Sequence, residues 1–556
     1  MAIHNNSTKG HSWVVFSVFF LINIVSSGGH LDWRDGVEAF VVTESMVLKN
    51  SAKFHSDVPS VRELYAETWL SKYDLFSQPT YTPRSLLLSA IVIPFHYSAT
   101  AVLLISPILA AGLLVNSIII SLISLVIFLF SLEMYSSKRL AFILSTIFSV
   151  CSFIWPYNTS LYPQPLQALL LIAPAYFLYK SVHFSPTFIC SYSKQHYKNG
   201  SGDNNERRAL VYDLVAGTIL GLSVFAHPSS LIAIPGFIVY TIISAVWKRK
   251  KRLAYFLVSL AVVLTFIAFV NYIRFGTFTE FGYYSQGSID VHGGWEGLLG
   301  LWISPGFGIL FYFPPAILLP LSLKRLIGSK ENRRLSILII YIVGVYWLFV
   351  GTLSYDEPTS WSGAIAWGPR YLIPLLPFIV VAFGSILTRI RRSNLYSLKV
   401  SLVIALCVSG FAINLIGKLT WVSYVASYMW EKLLLQRLAT NYLSIVAWHP
   451  NYSLIFLHFM VLTDNDFLSQ IQQKNYRGTD YHFVTYGLAP CQYDIYIYCT
   501  LGIVPIVILS GLAALLAAFI LKANIALNVA AVRQRMNRYR DNPSGINKIH
   551  QKEDIA

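Results

Sequence analysis

A chain of 556 residues that is 55% hydrophobic and only 12% charged, with mean hydropathy +0.56, is excluded from the soluble globular class. Its net charge of +16 would suit a nucleic-acid partner in a soluble protein. Here the basic residues cluster between apolar runs, as in WKRKKR (Trp247 to Arg252), KENRR (Lys330 to Arg334) and RIRR (Arg389 to Arg392), so the positive-inside rule accounts for them without nucleic acid.

Thirteen apolar segments are read along the chain: 12–28, 85–106, 111–133, 140–155, 163–182, 210–226, 229–247, 253–272, 299–323, 335–353, 371–388, 400–418 and 501–521. They are continuously apolar rather than alternating, which excludes a β-barrel. The first is read as a retained span rather than a cleaved leader, because an acidic stretch follows it directly. That stretch, Leu31 to Val47, carries Asp32, Asp35, Glu38 and Glu44 beside the bilayer. Asp32, Asp35 and Glu38 recur every third residue and share one face of a helix. Two readings stand side by side: a general base held at a membrane surface, or a capping box in which Asp35 caps and Glu38 reaches back.

The loop 30–84 continues into Val61 to Phe76, whose Trp69, Tyr73 and Phe76 beside charged partners suit an interfacial helix. Pro94, His96 and Tyr97 interrupt the segment 85–106, so it is expected not to span. This choice also settles the parity that Lys138-Arg139 requires on the inner face. Residues 183–209 end in a flexible polar linker. Placing the basic loops 248–252, 324–334 and 389–392 inside sends the loops near 155–163, 226–230, 274–297, 354–370 and 420–499 to the other side together. The expected architecture is an all-α polytopic membrane protein of about 12 to 13 transmembrane or membrane-embedded helices. It divides into a membrane module at 1–418 with its first outer loop at 30–84, an extracytoplasmic cap at 419–499, a last transmembrane helix at 500–522 and a basic cytoplasmic tail at 523–556 near anionic head groups. The five cysteines have no metal-ligand spacing, and Cys491 with Cys499 in one outer loop permits a disulfide.

No phosphate-cradling glycine loop, dinucleotide fingerprint, HExxH pair or nucleophile elbow occurs in a fitting context. What remains is a set of polar residues on the outer face: Asp35 and Glu38; Tyr81, Pro83 and Arg84; Trp155, Tyr157, Asn158, Tyr162 and Gln164; His227; Arg274 and Glu280; Asp356 and Glu357; and Trp367 to Tyr371. Arg370, at the outer end of a span, either snorkels to lipid phosphate or holds a specific phosphate bidentately. His227, before Pro228 in a short turn, is read as structural.

The order of these motifs resembles the glycosyltransferase C superfamily, in particular the bacterial and archaeal multi-pass relatives of dolichyl-phosphate-mannose–protein mannosyltransferases. The resemblance runs to about residue 390, on DGVEAFVVTESMVLKN (35–50), YTPRSLLLSAIVIPF (81–95), IWPYNTSLYPQPLQALL (154–170), NYIRFGTFTEFGYY (271–284), GILFYFPPAILL (308–319) and WGPRYLIPLLPF (367–378). The chain departs from it at Arg84, where relatives often carry a small residue, and at Gln164, where many carry an acid. The resemblance implies a hexosyl- or pentosyltransferase that moves a sugar from a polyprenyl- or dolichyl-phosphate carrier to an extracytoplasmic protein, lipid or glycan acceptor at the cell membrane, with inversion. In it, Asp35 would be the base and Glu38 would orient it. Arg370, with Arg274 or Arg84, would bind the donor phosphate, and Tyr81, Tyr157, Trp367 and Tyr371 would contact substrate. Such a mechanism needs no cofactor. Some superfamily members use a divalent ion between paired carboxylates, but no second metal ligand is evident, and no metal site is assigned. Asp35 and Arg370 are then expected to face one cavity. The alternative class is a transporter or flippase of lipid-linked saccharides, which predicts internal repeats that this sequence lacks.

Overall fold

The computed structural model describes residues 2–31, 33–64, 80–103, 105–159, 161–183, 201–244, 250–282, 294–352, 360–363, 366–390, 396–431, 442–466, 469, 493–518 and 520. Among them the chain is helical, and its one β-type pairing is the isolated bridge from Phe54 to Thr80. Among the described residues seven helices are long and apolar enough to cross a membrane: Pro107–Tyr135, Pro163–His183, Asn205–Ala226, Lys250–Phe275, Arg333–Thr352, Arg370–Thr388 and Ser397–Leu419. Five shorter apolar helices accompany them. This is an all-α polytopic membrane fold.

The elements used below are α1 (Ala2–Val25), α2 (Trp33–Lys49), α3 (Leu86–Ser98), α4 (Pro107–Tyr135), α5 (Lys138–Cys151), α6 (Pro163–His183), α7 (Ser201–Ala226), α8 (Ile234–Ser244) and α9 (Lys250–Phe275). They continue as α10 (Gly294–Ile303), α11 (Leu319–Gly328), α12 (Arg333–Thr352), α13 (Leu376–Ile390), α14 (Tyr396–Leu419), α15 (Val422–Glu431), α16 (Tyr442–Trp448) and α17 (Leu454–Thr463).

The segment 85–106, expected not to span, forms a short helix, 299–323 is broken rather than continuous, and 61–76 lies mostly outside the described residues. The apolar helix Leu86–Ala101, with Pro94 inside it, is not among the seven long helices. At 1.5 Å per residue it reaches about 24 Å, short of the ~30 Å hydrocarbon core. The segment read as 299–323 is not one helix: α10 stops at Ile303, a single turn covers Ile309–Tyr312, and a 3-10 turn at Pro314–Leu318 precedes α11. Gly306 donates to the Ala447 carbonyl at 3.1 Å, and the adjacent prolines Pro314 and Pro315 lack a backbone donor to continue a ladder. The aromatic helix expected over 61–76 is described only as far as the short helix Pro59–Leu64; its remainder, Cys491, Asp356, Glu357 and the tail beyond 520 lie outside the described residues.

The helix ends sort into two sets. The start of α6, the ends of α7 and α9, the start of α3 and the turn preceding α13 converge on one cavity. At the other end of α6, Ser181 contacts Arg252 at the start of α9, and Tyr179 donates to Asn332 just before α12 at 3.2 Å. Pro163 and Ser181 are separated by about 27 Å of helix. Lys250 to Arg252 and Lys330 to Arg334 therefore flank the end of the bundle opposite the cavity. Helices α15 to α17 pack at the cavity end, where the Trp367 ring lies 4.5 Å from that of His458 on α17. His30 is joined to Asp494 at 2.6 Å and stacks on Trp421, tying the loop before α2 to this cap. Although burial opposes its ionisation, His30 beside Asp494 holds that carboxyl below its usual range. Cys499 is disulfide-bonded.

Candidate active site

The site is built on α2. Its Ala39, Phe40, Val41 and Val42 are all at most 1% exposed, which fixes the helix in the core. Two reciprocal hydrogen bonds lock it to α3: Thr43 donates to the Ser89 carbonyl at 3.0 Å, and Ser89 donates to the Ala39 carbonyl at 2.9 Å. The helix begins at Trp33, so Asp35 lies inside its first turn rather than at the cap. The capping-box reading puts Asp35 at the cap, whereas the helix places it within the first turn, and Glu38 accepts from Arg84 Nε at 2.9 Å. Glu44 leaves the site entirely. Burial resists its ionisation, but the backbone N–H of Ser60 at 2.8 Å and the nearby His96 overcome that and hold its carboxyl below the usual range.

Arg84 Nη2 contacts Asp35 Oδ1 at 2.9 Å, and Arg370 Nη1 contacts Asp35 Oδ2 at 3.4 Å. Asp35 thus bridges two guanidinium groups that are 286 residues apart in the sequence (370 − 84). Each arginine is placed by local chemistry. Arg84 precedes Ser85, the N-cap of α3, whose hydroxyl accepts from Leu88 and donates to the Phe225 carbonyl. Arg370 follows Gly368, which has φ of +66°, and opens the 3-10 turn that leads into α13. Gly363, at φ +83°, passes the Arg370 side chain so closely that a Cβ would lie 2.8 Å from its Cγ. Arg370 also lies over the rings of Tyr162 and Tyr371.

Arg274 ends α9, where a cation complements the helix dipole. Its guanidinium donates to the carbonyls of Thr82 and Arg84, bracing the turn that carries Arg84. Its own contacts therefore make it a positioning group for a second cation.

These residues enclose a cavity of about 230 Å³ lined by Asp35, Arg84, Gln164, His227, Asn271, Arg274, Arg370 and Tyr371, with apolar walls from Leu88, Val224 and Ile267. A water occupies ~30 Å³, so the space suits a small headgroup rather than a lone ion. Counting Glu38 beneath Arg84, three guanidinium groups face two carboxylates, which leaves the site cationic.

Of the substrate-contact residues expected from sequence, Tyr371 lines the cavity, whereas Tyr157, Trp367 and Tyr81 do not. Tyr157 is buried and spends its hydroxyl on the Trp367 carbonyl at 2.9 Å. Trp367 gives its indole N–H to Asn414. Both therefore brace the Arg370 turn from behind. Tyr81 packs edge-on against Phe275 under Lys53.

Two cavity residues were given no role from sequence. Burial, aided by Arg370 and Arg84 and opposed by Asp35, presses the His227 imidazole down to about 4, so it stays neutral. Its Nδ1 accepts from the Ser229 N–H at 3.3 Å. Asn271 could have been found as the residue one turn before Arg274 on the same face of α9. Among the described residues no group of three or more His, Cys, Asp and Glu side chains gathers to hold a metal, and Arg84 engages both carboxylates at the cavity.

No protein-family profile matches the chain, and no curated protein matches it. Among solved structures, the chain is similar to ArnT from Cupriavidus metallidurans in the apo state, with 14% identity, a TM-score of 0.44 and coverage of 84% of this chain and 81% of that one.

Proposed function

We propose that this chain is a membrane glycosyltransferase of the glycosyltransferase C type. It takes a sugar from a polyprenyl- or dolichyl-phosphate carrier and gives it to an extracytoplasmic acceptor. The observation that carries this reading is Asp35 clasped between Arg84 and Arg370 at a cationic cavity, at the end of the helix bundle opposite the basic loops. A planar guanidinium matches phosphate oxygens bidentately. Arg370 and Arg84 take the donor phosphate, with Arg274 holding Arg84 in place. Phosphate oxygens compete with Asp35 for those N–H groups and release its carboxylate. Asp35 then accepts the proton of the acceptor hydroxyl as that oxygen attacks the anomeric carbon. The bond from that carbon to the phosphate oxygen breaks on the far side, the configuration inverts, and the carrier leaves as its phosphate. Glu38 keeps Arg84 oriented throughout.

The test is transfer from a radiolabelled polyprenyl-phosphate hexose by protein reconstituted in lipid, with released carrier phosphate measured in parallel. Wild-type protein should turn over and well-folded Asp35→Asn should not. Equal turnover by the two would reduce the Asp35 cluster to a structural ion pair.

A further inference from the structure

Resting on that reading, we propose that Gln164 and Asn271 form the sugar-reading pair of the cavity, and that the donor sugar is recognised through uncharged hydroxyl groups. Gln164 lies in the first turn of α6 and Asn271 near the end of α9, and both line one cavity. They are 2% and 1% exposed. Yet Gln164 Oε1 and Asn271 Nδ2 have no hydrogen-bond partner among the described residues. Leaving a buried polar atom without a partner is unfavourable, so two in one cavity mark a place where a ligand completes the hydrogen bonding.

The chemistry of the missing partner follows from the groups present. One free atom accepts and the other donates, and a hydroxyl does both. Both side chains are neutral, so neither supplies the counter-charge that a buried ammonium or carboxylate on the sugar would need. An ammonium on the sugar would need a carboxylate of its own, but Glu38 stays held by Arg84 and Asp35, once the phosphate releases it, serves as the base. The division of labour is then charge for phosphate and amide for sugar. The amides line the same cavity as Arg84, Arg370 and Asp35.

The experiment compares wild type, Gln164→Leu, Gln164→Glu and Asn271→Leu on a polyprenyl-phosphate hexose and its 2-, 3-, 4- and 6-deoxy analogues. Both kcat/KM and equilibrium binding of each labelled donor are measured. A site built around a hydroxyl rejects the analogue lacking it by roughly 10⁴-fold. Wild type should therefore reject one or two deoxy donors, and each leucine variant should lose that selectivity at one position while treating the remaining analogues as wild type does. Gln164→Glu, close to isosteric, keeps an acceptor and should retain selectivity if the leucine variant fails to fold. Equal losses on every donor, or unchanged selectivity in both leucine variants, would overturn the assignment. Donor binding with this pattern but without transfer would sink the transferase reading and leave the sugar-reading pair standing. Absence of donor binding would sink both.

Discussion

Two buried ion-pair clusters sit at opposite ends of this bundle, and they differ in how completely they are satisfied. At the basic end, Arg252 Nε meets Asp213 Oδ2 at 2.7 Å and Nη2 meets Oδ1 at 3.0 Å, with side chains 6% and 0% exposed. Ser181 takes up further donor capacity, and its own hydroxyl donates to the Ala209 carbonyl. That pair is one cation to one anion, closed and bidentate. At the other end, Arg84 and Arg370 share two carboxylates around an open volume that a third guanidinium, Arg274, also lines. Its side chains Asp35, Arg84 and Arg370 are 13–16% exposed, and two amides lie beside them with unused polar atoms. A saturated pair fastens helices together. An unsaturated cluster with surplus charge and space is equipped to receive an anion and a polar headgroup.

The sharpest way to break this contrast is Asp35→Asn. A base role predicts a loss of roughly two to four orders of magnitude in turnover at normal protein level. The equivalent change at the basic end should act on stability alone. Asp213→Leu strands Arg252 in the bundle and should cost about 3–5 kcal/mol, read as a fall in melting temperature of detergent-solubilised protein. The double change Asp213→Leu with Arg252→Met should recover most of that, since a buried pair is often replaceable by apolar side chains. Turnover per folded molecule should be unaffected in both. Arg370→Lys keeps the charge but loses the planar fork, and should weaken donor use by roughly tenfold to a hundredfold, the worth of one charged hydrogen bond. It should raise KM for the lipid donor more than it changes melting temperature.

A pH dependence gives the last test. His227 titrates at about 4 in the folded protein, below its ordinary value near 6.5. Between those values the unfolded chain takes up a proton that the folded chain refuses. Stability therefore falls as pH drops through that window, by roughly 3 kcal/mol at most. His227→Gln should flatten this limb of a melting-temperature profile; an unchanged slope would mean that other groups govern it.

Much of the membrane architecture was legible because hydropathy is a local property. A run of about 20 apolar residues requires a helix wherever lipid is the solvent, as for Lys250–Phe275, and clustered lysine and arginine mark one set of loops without reference to neighbours. The sequence also singled out Asp35, Glu38, Arg84, Arg274 and Arg370, because charged residues at the ends of apolar runs are few enough to notice. It did not show that Arg84 is the hub joining Asp35 to Glu38, or that Arg274 spends itself on the carbonyls beneath Arg84. Nor could it separate Tyr371, which lines the cavity, from Tyr157 and Trp367, which look alike in sequence and are consumed by backbone and Asn414. In the sequence His227 reads as structural and Asn271 stands only at the head of a motif, since an amide or an imidazole near a helix end is usually ordinary. Composition and spacing determined what this chain is made of and what solvent it folds in. Only the convergence of five helix ends decided which polar groups meet, because contacts across hundreds of residues depend on packing angles that no local pattern encodes.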